Sequence, residues 1–147
     1  MQTNWRKLYL ESARAGAFIG LVAGAGEGVF MGALTRTLQA TLFGALVGSV
    51  GGLIFGPVVG LVVAKWGGTQ GGVSVGAYTG MLVGSILGFL AGIPFAVWAE
   101  RVEIMRQTFL LDAFTQGYFQ SSMLGFFLAA VMGTAVGAIV GGVNRRA

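Results

Sequence analysis

Apolar and polar positions in this chain segregate over whole segments, with no two-residue strand alternation and no single amphipathic helix face. Long apolar runs cover about residues 15–34, 41–64, 73–98 and 114–143, and short polar stretches separate them. Each run can cross a hydrocarbon core of about 30 Å as a helix rising about 1.5 Å per residue. Inside every run a small residue recurs at each fourth position. The first carries Gly16, Gly20, Gly24, Gly28 and Gly32, and the second Gly44, Gly48, Gly52, Gly56 and Gly60. The third carries Gly76, Gly80, Gly84, Gly88 and Gly92, and the fourth Gly125, Gly133 and Gly137 with Ser121, Ala129 and Gly141 in the same register. The pattern predicts an all-α integral membrane fold of four transmembrane helices packed through glycine-zipper (GxxxG) faces, within a single membrane domain over residues 1–147.

The glycine spacing has a physical reason. Lipid tails are as apolar as leucine, so burial from water does not hold transmembrane helices together. Close backbone approach does, through dispersion and weak Cα–H to carbonyl contacts, and glycine permits it. A step of four slightly exceeds the 3.6-residue turn, so the stripe drifts around the helix and favours right-handed crossings. Four ladders in one chain also suggest self-association, or insertion against larger membrane subunits.

The flanking segments refine this outline. Residues 1–13, with Trp5, Leu8 and Tyr9 at helical spacing beside Arg6 and Lys7, suit an interfacial N-terminal segment that is retained. Thr35 to Ala40 is short enough to demand a tight helical hairpin, and Lys65-Trp66 closes the second run with an interfacial pair. Pro57 and Pro94 are expected to bend their helices. Residues 99–113 form a charged amphipathic connection, and Asn144-Arg145-Arg146 is expected in water. GALVGSVGGLIFG from Gly44 matches GMLVGSILGFLAG from Gly80 at an offset of 36 residues, which points to inverted internal symmetry between antiparallel helices.

Composition strengthens the membrane assignment: 55% of residues are hydrophobic and only 10% charged, with mean hydropathy +0.81. The net charge of +4 arises at the ends and loops of the apolar runs, where cations set topology; nucleic-acid binding is not expected. Arg6, Lys7, Arg14, Lys65, Arg145 and Arg146 fall on the side of the termini, against Arg36, Arg101 and Arg106 opposite, which predicts cytoplasmic termini in a bacterial inner (plasma) membrane. Cysteine and histidine are both absent. Disulfides, thiolate chemistry and imidazole ligation are thereby excluded, and neither a cofactor nor a metal is expected.

Glu27 is the one acid inside an apolar run. A carboxylate there is costly, so it should be neutral, paired, or hydrogen-bonded in a polar pocket. The other runs offer no cation at similar depth, only neutral groups: Ser49, Tyr78, Thr79, Ser85, Gln116, Gln120, Ser121, Ser122 and Thr134. Glu27 is therefore expected to hydrogen-bond as a packing element, to carry protons or cations, or to contact a lipid, pigment or quinone or simply sit in a water-filled crevice.

Glycine-ladder hairpins with one buried acid resemble the proteolipid rotor subunits of rotary ATPases. That resemblance implies an ion site at Glu27, although here the acid lies in the first span and within its own ladder. The span count and packing motif are also similar to those of mitochondrial protein-import channel subunits, whose Arg-x-x-x-Asp loop pattern is missing: Ala40 follows Arg36, and Leu110 follows Arg106. No enzyme constellation stands out. Glu100 and Glu103 lie among arginines as a solvated charged segment, and GAGEGVFMG has no preceding strand or phosphate-binding lysine. The sequence thus predicts a non-enzymatic membrane protein that is an accessory or scaffold subunit of a larger complex, or a homo-oligomer. Its expected partners are the lipid bilayer and other membrane subunits or itself; the alternative is a small proton or cation conductor using Glu27.

Overall fold

The computed structural model describes residues 5–34, 36–67, 72–99, 101 and 118–144. They form four helices: α1 (Trp5–Ala33), α2 (Leu38–Gly67), α3 (Gly72–Ala99) and α4 (Tyr118–Asn144). Each contains a span long and apolar enough to cross a membrane. Only 28–33% of the most apolar window of each span is buried within the protein. Phe18, Leu42, Leu90 and Val131 point outward instead, so the medium that accepts these side chains has to be apolar.

Helix α1 continues without a break through residues 5–13, and Lys7 and Glu11 pair along its first turns at 3.8 Å. The α1–α2 turn follows from local chemistry. Arg36 adopts a left-handed backbone (φ 58°) and its N–H donates to the Ala33 carbonyl at 2.9 Å. The Thr37 hydroxyl oxygen then accepts from the Ala40 N–H at 3.3 Å, capping α2. Pro57 and Pro94 both sit inside continuous helices. Most of the 99–113 connection and the expected start of the last span at 114–117, Gln116 included, lie outside the described residues.

Two rows of side chains on each helix organise the bundle. In the first, Gly16 meets Gly56, Gly20 meets Gly52, Gly24 meets Gly48 and Gly28 meets Gly44. In the second hairpin Gly76 meets Gly137, Gly80 meets Gly133, Gly84 meets Ala129 and Gly88 meets Gly125. Each step of four up one helix is a step of four down its partner, so α1/α2 and α3/α4 are antiparallel pairs. A methyl group on any of these glycines other than Gly44 would fall on the facing carbonyl.

The second row lies one residue before the first and joins the two hairpins. Val59 and Val63 of α2 and Met132, Val136 and Val140 of α4 form its buried centre. Ala15, Ile19 and Ala23 of α1 pack against them, with Phe55 of α2 and Val83 and Leu87 of α3. Asn144 ends the α4 row, and it is buried, contrary to the expectation of a solvated terminus. The reason is the antiparallel docking of α4 on α1, which brings the Ser12 hydroxyl to the Asn144 Oδ1 at 3.1 Å. Ser12→Ala should lower stability by about 1 kcal/mol, the size of a typical net hydrogen bond. Asn144→Leu in that background should recover part of the loss, because the Asn144 Nδ2 is buried without a partner. Thermal melts of the two variants in detergent micelles would check both.

Candidate functional site

The second row does not fill its whole length. Around Val59, Val63, Val136 and Val140 it is solid, and these four residues are at most 1% exposed. Towards the α1–α2 turn it opens into a cavity of about 390 Å³ lined by all four helices. Leu46, Val47, Gly51 and Phe55 of α2, Ala91, Phe95 and Trp98 of α3, and Leu124, Leu128 and Met132 of α4 form its walls. Glu27 enters from α1 and is the one ionisable side chain in the described lining.

The position of Glu27 follows from the row. Ala15, Ile19 and Ala23 precede it at steps of four and pack on the central cluster. The next step is Glu27, carried past the end of that cluster into the cavity. The tight approach of Gly28 to Gly44 fixes the backbone beside it. Its carboxyl group faces the main chain of α4 at Met132, and its Oε1 is buried without a hydrogen-bond partner.

The cavity also has a sequence cause, visible in the internal match. The segment around Gly51 aligns with the segment around Leu87, and these two residues occupy equivalent second-row positions of α2 and α3. Leu87 packs against the central cluster, whereas a Cβ at Gly51 would meet nothing within 4 Å. One hairpin supplies a side chain where the other leaves space.

Of the neutral groups offered as partners for Glu27, none of the described ones lines its cavity, and the Ser122 Oγ is itself buried without a hydrogen-bond partner. Ser49 and Thr134 each donate to a main-chain carbonyl of their own helix, Ala45 and Ala130, both at 2.7 Å. Tyr78 is exposed, while Thr79, Ser85 and Ser122 are buried outside the cavity lining. Gln116 and the side chains of Gln120 and Ser121 lie outside the described residues. All the ladder glycines named above fall on the hairpin seams or in the cavity wall, Gly92 in the latter. Sequence reasoning missed Gly51, Ala91 and Phe95. The signal that would have found them is the row one position before each ladder glycine, in which α2 carries Gly51 where the matching segment of α3 carries Leu87, and α1 carries Glu27.

Among the described residues, fold and site together define a class: an all-helical bundle of four helices apolar enough to span a membrane, with one carboxyl in a cavity between them. No protein-family model, curated protein or solved structure matches the chain.

Proposed function

We propose that the protein is a non-enzymatic membrane protein that handles a cation, a proton included, at Glu27. Its two hairpins act as rigid glycine-zipper units framing that group. The observation supporting this reading is the Glu27 Oε1, buried and unpartnered in an otherwise apolar cavity. A carboxyl kept only to lock helices would be expected to have both oxygens satisfied. An ionisable group in this setting is by default a functional one. Cytoplasmic termini would put the cavity in the outer half of the plasma membrane, since it opens at the end of the bundle away from Ser12 and Asn144. In proteoliposomes the wild-type protein should support cation or proton flux, and Glu27→Gln should abolish it. Equal flux from both would sink the proposal.

The second reading is an accessory or scaffold subunit of a larger membrane assembly. It is favoured by the large apolar residues outside the hairpin seams, Phe18 and Phe30 on α1 and Leu82 and Leu90 on α3 among them. With the glycine ladders facing each other inside the hairpins, a partner would meet these larger side chains. Purification in mild detergent distinguishes the two: a stoichiometric second subunit supports the scaffold role.

A further inference from the structure

Resting on the reading of Glu27 as a cation-handling group, we infer that the cavity is a binding site for a hydrophobic organic monocation, such as a quaternary ammonium or an aryl phosphonium. Three candidate classes of occupant differ in what they require of the walls. A bare metal cation needs several oxygen ligands, six to eight for calcium for example. The cavity offers one carboxyl, and no cluster of acidic residues exists among the described residues. A lone proton needs no cavity of this size. A partner's transmembrane helix is about 10–12 Å across, too wide for a space of about 390 Å³. That volume falls instead at the lower end of the roughly 300–1,000 Å³ typical of small-molecule sites.

The walls match an organic cation point by point. Such an ion carries its own hydrocarbon shell, so it asks for apolar contact and a single counter-charge. Apolar contact comes from Val47, Leu128 and Met132. The aromatic residues Phe55, Phe95 and Trp98 also line the cavity, and aromatic rings attract cations through their faces. The counter-charge is Glu27. A lipid acyl chain would fill the same volume but leave the Oε1 orphaned. The space itself arises at Gly51, the position where the matching segment of α3 carries Leu87.

The test uses the full chain in detergent, titrated with tetraphenylphosphonium and, separately, with neutral triphenylphosphine oxide, with binding read by calorimetry. Saturable one-to-one binding of the cation is expected, with much weaker binding of the neutral analogue. Glu27→Gln should weaken cation binding at least about tenfold, through loss of the counter-charge. Gly51→Leu should weaken it similarly by filling the space, with Glu27 intact, and a retained thermal melt shows that this variant is folded. A proton competes with the cation for the same carboxylate, and among the described residues α2, α3 and α4 bring no other ionisable side chain to the cavity. Acidification should therefore weaken binding to wild type and leave the residual binding of Glu27→Gln unchanged. Equal affinity for cation and neutral analogue, or unchanged affinity in both variants, overturns the inference. So does a lipid retained equally by wild type and Glu27→Gln with no cation binding. Glu27-dependent proton flux without cation binding overturns this site assignment and leaves the broader proposal standing; cation binding without flux supports the site and removes transport.

Discussion

Gly52→Ala separates the first hairpin, and Gly51→Ala, one residue earlier on the same helix, does not. At Gly52 the added methyl falls on the Gly20 carbonyl and lies 3.0 Å from the Leu21 nitrogen, so the obstacle is main chain that has no rotamer to change. The two helices must move apart along the whole seam, because the facing pairs from Gly16 to Gly28 share one register. Overpacking of this kind costs about 1–3 kcal/mol, and the loss of neighbouring contacts along a seam puts Gly52→Ala at the upper end. At Gly51 the same methyl meets nothing within 4 Å. Its effect should stay within about 1 kcal/mol, of either sign, with helix propensity favouring alanine. Unfolding of both variants in mixed micelles, followed by circular dichroism, gives the comparison. Similar losses at the two positions would mean that the seam is not the contact holding the hairpin.

Glu27→Leu raises stability. Leucine continues the row of Ala15, Ile19 and Ala23 into the cavity and removes an oxygen that has no partner. An unsatisfied buried polar group costs about 1–3 kcal/mol, so a gain of that order is expected in the same unfolding experiment, together with loss of cation binding. A gain in stability paired with a loss of function is what distinguishes a working group from a packing lock. If Glu27→Leu instead destabilises the bundle, the carboxyl is structural and the functional assignment fails.

The ladders were legible because a four-residue step is a local property. Gly16 to Gly32 marks a face of α1 whatever that face touches. The row beside it was harder to read. Ala15, Ile19, Ala23 and Glu27 share no single residue type, and only the packing of the first three on the Val59, Val63 and Val136 cluster, with Glu27 one step beyond, shows them to be one surface. Asn144 misled for a related reason: beside Arg145 and Arg146 it reads as the start of a solvated tail. Whether a terminal turn is covered depends on the helix opposite, here α1 at Ser12.

The sequence by itself determined that this protein is four apolar helices with small residues along one face of each and a single carboxyl among them. Hydropathy, span length and glycine spacing are written in consecutive residues and require no knowledge of neighbours. Any of the four ladders could have faced any other, or a second molecule. Only the tertiary structure decided that α1 pairs with α2 and α3 with α4, with the adjoining row left to join the hairpins. It also decided that this row is filled by valines at one end and interrupted by Gly51 at the other. A cavity is the absence of a side chain at a place defined by four separate helices. For that reason Glu27 could be singled out from the sequence, while the space around it could not.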